Sequence, residues 1–359
     1  MSIAARRRLA ATLALGLAAT LAVRSLAAPA IPERLSETGL YLPGTLTVDP
    51  RNRPFSPQYP LWTDGAGKAR WIQLPAGGRI TARDADTWEF PVGTRLWKEF
   101  AFDGRRVETR MLWRLTADEW SYAAYVWNEA QTDATLVPAE GLAGVVEVAP
   151  GKRHSVPSRD DCRACHDNGG TSVLGFTALQ LSTDRDPAAP HAEPLQPGMT
   201  TLQTLLDEGL IDTPQPALFA RAPRIPGDPG TRAALGYLSA NCGHCHNADS
   251  AVATVRFPLR MPAYPTPAGI EQTIGALVAR TSKWDLPHST PGTTSTVKPG
   301  SPDLSALVVR MRSRRPSAQM PPLGTALADG DAVDLVSVWI DELGRRDVAI
   351  RNDSGVVAR

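Results

Sequence analysis

The four cysteines of this 359-residue chain all fall in one repeated pattern, Cys-x-x-Cys-His. Two thiols at this spacing can add to the two vinyl groups on one edge of a porphyrin, and the adjoining histidine can then bind its iron. The sequence therefore predicts two covalently attached c-type haems, with a histidine as one axial ligand of each iron. The residues concerned are Cys162, Cys165 and His166 in the first motif, and Cys242, Cys245 and His246 in the second.

Other kinds of site also use Cys-x-x-Cys pairs, namely zinc knuckles, redox dithiols and disulfides. A redox dithiol has no need of the trailing histidine, which occurs here twice. A zinc site would need both histidines to join the four thiolates without the usual spacing of the closing ligand pair. Because no cysteine is left over, covalent haem is favoured over these alternatives.

The N-terminus has the composition of a secretory signal peptide. Three arginines, Arg6 to Arg8, precede an apolar run at 9–23, and small residues at the spacing of a cleavage site follow at 25–27 and 28–30. The run is short for a membrane span, so an uncleaved anchor is the less favoured alternative. We expect residues 1–27 to be removed on export to the periplasm, and this agrees with haem attachment after export.

The charge balance limits the class of partner. The chain has 38 basic and 37 acidic residues, a formal net charge of +1, which argues against a nucleic-acid-binding face. No segment after the N-terminus is apolar enough to span a bilayer. The expected partners are therefore redox proteins, recognised through local patches rather than by overall charge.

The sequence patterns around the haem motifs predict a multidomain α+β chain. Residues 31–149 predict a β-rich domain, sandwich-like or barrel-like, with strands at 96–102 and 107–114 joined by a hairpin at Asp103-Gly104. Seven of the nine tryptophans lie in this domain, and we expect them to fill its core rather than to form a sugar-binding platform. A first haem-binding segment (150–225), a cytochrome c-like domain with the second haem (226–347) and a tail (348–359) follow.

Helix signals dominate the C-terminal half. Thr200 or Thr201 can cap one helix, and Thr231 can cap another that leads into Cys242. Ser301-Pro302 predicts a helix start. Apolar residues at helical spacing predict a last helix from Asp331 to Gly344. This order, with the motif between two amphipathic helices, resembles that of small class I cytochromes c.

The loop before the last helix contains a candidate iron ligand. Met320 lies in the segment Gln319-Met320-Pro321-Pro322, which is similar to the Met-Pro loop of class I cytochromes c. The resemblance implies that Met320 is the sixth ligand of the second haem, which would raise its reduction potential. Met261 is the alternative. His244, between the cysteines of the second motif, is too close to them to reach the far face of that haem.

The first haem has no obvious sixth ligand. The candidates are His191, His154, Met199 and Met111, with His191 preferred because its loop follows the first motif. An open iron is also possible, and it would permit ligand binding or catalysis.

Beyond the haem motifs, the chain resembles a family of bacterial two-haem c-type cytochrome-like proteins over most of its mature length. What the resemblance implies is an exported haem protein with a role in electron transfer. The chain has no clear match to bacterial two-haem peroxidases outside the haem motifs. The segments that support the resemblance are LSETGL at 35–40, FPVGT at 90–94, ETR at 108–110, YVWNEAQT at 125–132, VPS at 156–158 and NCGHCHN at 241–247.

Three functions follow as hypotheses. The first is a periplasmic electron carrier. The second is a haem enzyme, peroxidase-like or associated with a dehydrogenase, that uses an open first haem; no catalytic residue can be selected, because Asp84, Asp86 and Glu129 are typical surface or structural carboxylates. The third is a sensory module in which the tryptophan-rich domain holds a ligand.

Overall fold

The computed structural model describes residues 30–167, 172–250, 257 and 259–353. The predicted signal peptide at 1–27 lies outside the described residues, as does the end of the predicted tail at 354–359. From Ile31 onwards the chain forms one compact unit, within which the expected boundaries at 149/150 and 225/226 fall. None of the described helices is both long enough and apolar enough to cross a membrane.

The strands confirm a β-rich region in an α+β fold. Their order in the largest sheet is β1-β2-β5-β6-β7-β8, all antiparallel; β9 and β10 form a ribbon, and β3 pairs with β4 and with the parallel β11. The strands are β1 (Arg53–Pro54), β2 (Gly67–Gln73), β3 (Ile80–Ala82), β4 (Trp88–Glu89), β5 (Arg95–Phe102), β6 (Arg105–Arg114), β7 (Trp120–Trp127), β8 (Ala134–Leu136), β9 (Leu142–Ala149), β10 (Lys152–Val156) and β11 (Ile211–Asp212).

The helices follow mostly in the C-terminal half. They are α1 (Arg159–His166), α2 (Leu202–Asp207), α3 (Pro229–Asn241), α4 (Pro267–Val278), α5 (Ala306–Arg312) and α6 (Gly330–Asp353), with 3₁₀ turns at Leu35–Glu37, Pro216–Phe219 and Pro302–Leu304. The expected helix start at Ser301-Pro302 is one of these 3₁₀ turns, and α5 begins after it.

The predicted hairpin is present. Asp103 and Gly104 alone separate β5 from β6, and their φ angles of 49° and 75° are both left-handed. Two such residues form the turn whose twist matches that of antiparallel strands. The Asp-Gly signal was therefore enough to locate the turn.

The two faces of the large sheet pack against different clusters. Alternate residues along β5 and β6 point to opposite faces, so Trp97 and Met111 lie on one face with Tyr125, while Leu96 lies on the other with the main core. Six of the seven tryptophans of the β-rich region pack in or against these clusters, in agreement with the expectation of a core role. They are Trp71, Trp88, Trp97, Trp113, Trp120 and Trp127.

Helix α3 is capped by a different residue from the one expected. The prediction of Thr231 as the cap was wrong, because Pro229 occupies the first turn and Asp228 is the N-cap. Asp228 Oδ1 accepts a hydrogen bond from the Thr231 backbone N–H at 2.9 Å. Thr201 caps α2 as expected.

Helix α6 continues beyond the expected end. Gly344 lies inside the helix, which runs to Asp353, so the prediction that this glycine ends it was wrong. Its role is close packing: a Cβ at position 344 would lie 2.5 Å from the Cα of Gly300. The missing side chain lets two backbones touch rather than terminating a helix. Helix α6 also packs along α3 through Leu235 and Trp339 in the main core.

Candidate functional site

Both Cys-x-x-Cys-His segments line the same cavity, which has a volume of about 470 Å³. All four cysteines are described, and all four are free thiols at its wall. Met320 lines the cavity as well. The seven residues that the sequence selected from two distant segments and a loop are therefore brought together around one space.

Helix α1 carries the first motif. Ser158 caps it by accepting a hydrogen bond from the Asp161 N–H at 3.0 Å, and the Asp161 carboxylate bonds back to the Ser158 N–H. This reciprocal capping box fixes the start of a helix of only two turns. Cys162, Cys165 and His166 thereby take positions on one short, rigid element at the cavity wall.

His166 is oriented by its neighbours. Its Nδ1 lies 2.6 Å from the carbonyl oxygen of Ser172, and its ring lies 5.3 Å from that of Tyr122 on β7. Burial lowers the pKa of His166 to about 4, so the imidazole is neutral. A neutral imidazole that donates from Nδ1 to a carbonyl keeps its Nε2 lone pair for a metal.

The second motif begins where α3 ends. The Cys242 N–H still bonds to the Leu238 carbonyl at 2.9 Å, and the His246 N–H bonds to the Cys242 carbonyl at 2.8 Å. Gly243 permits this tight turn, because a Cβ there would lie 2.5 Å from the Ser239 carbonyl oxygen. The turn places the His246 ring 4.3 Å from the ring of Phe257.

The two motifs face each other closely enough for their groups to interact. Burial raises the pKa of Cys165 to about 12, and Cys245 of the other motif adds to the rise. The pKa of His166 is lowered further by His244. His244 itself is buried and lines the cavity between the motifs, in keeping with its expected position beside the cysteines.

The loop that carries Met320 is pinned at several points. The Met320 N–H bonds to the Arg310 carbonyl at 3.0 Å, and the Met320 carbonyl accepts from Arg314 Nη2 at 2.9 Å. Arg314 also donates to Thr325 Oγ1 at 2.6 Å. The backbone on both sides of the methionine is therefore held against the cavity, while the alternative, Met261, is buried in the main core and is not a lining residue.

The two histidines proposed as sixth ligands for the first haem have carboxylate partners. His154 Nδ1 lies 2.9 Å from Asp64 Oδ2, and its Nε2 lies 3.2 Å from Glu108 Oε2. His191 Nε2 lies 2.8 Å from Asp329 Oδ1. Neither histidine is a lining residue of the cavity, although Asp329 is.

The two methionine candidates also make other contacts. Met111 belongs to the cavity wall, but its side chain packs with Trp97 and Tyr125 on the far face of the sheet. Met199 is not among the lining residues, and its sulfur accepts a hydrogen bond from the Gln196 N–H at 3.4 Å. Of the four candidates, Met111 alone lines the cavity in the described part of the chain, and its side chain packs with the cluster on the other face of the sheet.

Sequence reasoning missed the charged part of the cavity wall. Arg70, Lys98 and Arg110 line the cavity from β2, β5 and β6. The alternation of side chains along β6 predicts that Arg110 and Leu112 share the face opposite Met111. It does not predict that this face lines a cavity, because the cavity depends on the tertiary fold.

Asp86 has a structural role, as expected: its carboxylate accepts a hydrogen bond from the Ala263 N–H at 2.6 Å.

Within the described part of the chain, no three histidine, cysteine, aspartate or glutamate side chains converge as ligands of a single metal ion. Comparison with known proteins gave no assignment: no family model, no curated protein and no solved structure matches this chain.

Proposed function

We propose that this chain is an exported two-haem c-type cytochrome that transfers electrons between redox partner proteins of the periplasm. The observation that carries the proposal is that both Cys-x-x-Cys-His segments line one largely apolar cavity, with all four thiols free. The free thiols, the neutral and partly buried imidazole of His166 and the apolar surroundings fit covalently bound haem.

The first haem would be held by α1. Cys162 and Cys165 would form the two thioethers, and His166 would bind the iron through Nε2. The hydrogen bond between His166 Nδ1 and the Ser172 carbonyl fixes the ring and increases the basicity of the ligand. The contact with Tyr122 restrains the same ring from β7.

The second haem would be held by the turn after α3 and by the loop before α6. Cys242 and Cys245 would form its thioethers, and His246 and Met320 would bind its iron. The arrangement of α3, motif, methionine loop and α6, with α3 packed on α6, supports a class I cytochrome c-like design for the C-terminal region. A thioether ligand favours the reduced iron and so raises the reduction potential.

A haem iron supplies one-electron chemistry when bound, and the chain supplies the surroundings. Apolar side chains line much of the cavity, among them Leu96 and Leu112 of the sheet and Val173 of the loop after α1. The hydrogen bonds at the Met320 backbone and at His166 Nδ1 hold these two residues at the cavity wall. Both haems would occupy one cavity, because both motifs line it.

The test is haem content by intact mass and pyridine haemochrome after expression in a host that attaches c-type haem. We expect two haems in the exported wild type, and one in each of the double variants C162A/C165A and C242A/C245A. Exported, folded protein without covalent haem would contradict the proposal.

A second candidate is a haem enzyme with an open first iron. The observation that favours it is that all four candidates have other contacts: carboxylates hold His154 and His191, Met111 packs with Trp97 and Tyr125, and the Met199 sulfur accepts the Gln196 N–H. Carbon monoxide added to the dithionite-reduced protein separates the two functions. A spectral change in about half of the haem supports the enzyme; no change supports the electron carrier.

A further inference from the structure

Three cations stand directly opposite one another across the large sheet. In the strand register Arg70 of β2 pairs with Lys98 of β5, and Lys98 pairs with Arg110 of β6. All three line the cavity. Like charges directly opposite in a sheet are destabilising, and buried charges normally have partners. A cationic row in this position therefore calls for an anion in the cavity.

The carboxylates of the chain do not satisfy the whole row. Glu108 binds Arg110 through both oxygens, at 2.5 and 3.0 Å, so that end is neutralised. Glu193 accepts from Arg70 Nη1 at 3.0 Å. The Arg70 side chain is only 5% exposed, and its buried Nη2 has no hydrogen-bond partner among the described residues.

Lys98 is the least satisfied member of the row. Its Nζ lies 4.9 Å from the ring centre of Phe100, and no described residue hydrogen-bonds to it. Burial lowers the pKa of Lys98 well below its usual value, and the charges of Arg70, Lys68 and Arg110 lower it further. An anion beside Arg70 and Lys98 would reverse this effect.

The row extends away from the first haem motif. Helix α1 packs on β7, where Tyr122 contacts His166, and the strands continue in the order β6, β5, β2. Neighbouring strands are about 4.8 Å apart, so Arg70 starts roughly 10 Å farther from α1 than Arg110 does. The vinyl edge of a porphyrin bonds to the cysteines, and its two carboxylates lie on the opposite edge.

We infer that Arg70 and Lys98 form a carboxylate-binding site for the propionate groups of the haem attached at Cys162 and Cys165. The inference rests on the proposed function, because it needs that haem. Arg70 Nη2 and Lys98 Nζ donate to the carboxylates, while Glu108 keeps Arg110 from competing for them. The same cation pair would also suit a small free carboxylate, so the source of the anion must be tested.

The experiment is potentiometric titration of the haem-loaded full chain, together with redox-difference infrared spectroscopy of the carboxylate bands. We expect Arg70→Gln to decrease the reduced-to-oxidised ratio of one haem about tenfold at a fixed potential, a shift of about 59 mV. The reason is that a nearby positive charge favours the reduced iron. Carboxylate bands of the wild type should move in the same variant.

Matched variants keep the test sharp. Arg70→Lys should leave the reduction potential of that haem close to the wild-type value. Lys98→Met should lower the same potential even when Arg70 is present. Arg95→Gln is the control, because Arg95 lies on the same sheet but alternates to the opposite face, where its guanidinium stacks on Trp113. It should leave both potentials and the carboxylate bands unchanged.

Two results would overturn the inference while leaving the proposed function intact. One is covalent haem with unchanged potentials and bands in both Arg70→Gln and Lys98→Met. The other is a wild-type potential that shifts when acetate is added, an effect lost in Arg70→Gln, which would assign the site to a free anion. Absence of covalent haem, read from the intact mass, would instead reject the proposed function itself.

Discussion

At the scale of single residues, His154 links the β-sheet to the loop that follows Met320. Its two ring nitrogens contact Asp64 and Glu108, and Asp64 also accepts hydrogen bonds from the backbone N–H groups of Ala326 and Leu327 at 2.7 and 2.9 Å. The side chains of His154, Asp64 and Glu108 are each at most 1% exposed. This chain of contacts stabilises the fold where two distant segments meet.

The pH dependence of stability follows from His154. Burial acts to lower its pKa, but the hydrogen bonds to Asp64 and Glu108 outweigh burial and raise the pKa above the ordinary 6.5. The protonated ring thus stabilises the folded state fully below about pH 6.5, and this contribution is lost as pH rises through the folded-state pKa. We expect His154→Gln to decrease the free energy of unfolding by about 3 kcal/mol near pH 6, and by less near pH 9.

Urea denaturation followed by tryptophan fluorescence measures this difference. His288→Gln is the control, because His288 is exposed and its replacement should have little effect at either pH. A penalty for His154→Gln that is equal at both pH values, or larger at the alkaline one, would contradict the assignment of a stabilising protonated ring.

Met320 makes the second prediction at this scale. Met320→Ala should abolish the long-wavelength sulfur–iron absorption band and lower the potential of one haem, because a thioether ligand is lost. Met261→Ala is the matched control, since Met261 is buried in the main core away from the cavity lining. Absorbance of the oxidised protein and potentiometry provide the readout, and a band that survives in Met320→Ala would exclude this methionine as the ligand.

Single residues also mark the limit of what the sequence predicts. The six residues of the two Cys-x-x-Cys-His motifs could be selected because the proposed chemistry depends on a spacing within five positions. His154 could not be assigned, since its partners Asp64 and Glu108 are distant along the chain and carry no local signal. Arg70 and Lys98 were missed for the same reason: their opposition is a property of strand register.

At the scale of elements, the close contact of α6 with the backbone of Gly300 can be tested. A Cβ at position 344 would lie 2.5 Å from Gly300 Cα and 2.6 Å from its nitrogen, and backbone atoms cannot rotate away as a flexible side chain can. We expect Gly344→Ala to decrease the free energy of unfolding by about 2 kcal/mol, because the strain exceeds the gain in helix propensity. Thermal unfolding measured by circular dichroism checks this.

Gly275 provides the control for that substitution. It also lies inside a helix, α4, but a Cβ there would meet nothing within 4 Å. Gly275→Ala should therefore increase stability by up to about 1 kcal/mol. If both substitutions were stabilising, the contact between Gly344 and Gly300 would not constrain the fold.

Elements were predictable where the signal is local. The hairpin at Asp103-Gly104 follows from turn geometry, and the strands on either side follow from their composition. The end of α6 was predicted wrongly, because a glycine such as Gly344 near the end of an apolar pattern is typical of a helix C-terminus. Only the tertiary contact with Gly300 explains why a glycine is needed within this helix.

At the scale of the whole molecule, the second Cys-x-x-Cys-His motif is packed against the N-terminal half of the chain. The ring of Tyr59 fills the space beside Gly236 in α3, where a Cβ would lie 2.1 Å from its Cε1. The side-chain oxygen of Asn241 accepts the Trp62 N–H at 2.7 Å, immediately before Cys242. The sequence predicts a cytochrome c-like segment here, but it does not predict the packing of that segment against residues that lie about 180 positions earlier.

The last prediction concerns the segment 226–347, which the sequence indicates as a cytochrome c-like domain. Expressed alone in a host that attaches c-type haem, it would expose the side of α3 that Tyr59 covers, and Asn241 would lose its partner at Trp62. Since the chain from Ile31 forms one compact unit, we expect the fragment to carry haem covalently yet to lack a cooperative unfolding transition and the sulfur–iron band. The full chain should unfold in a single transition that fluorescence and haem absorbance report together. A fragment with native-like absorbance and a sharp transition would mean that α3, Met320 and α6 suffice to build the site, and that the N-terminal sheet only covers it.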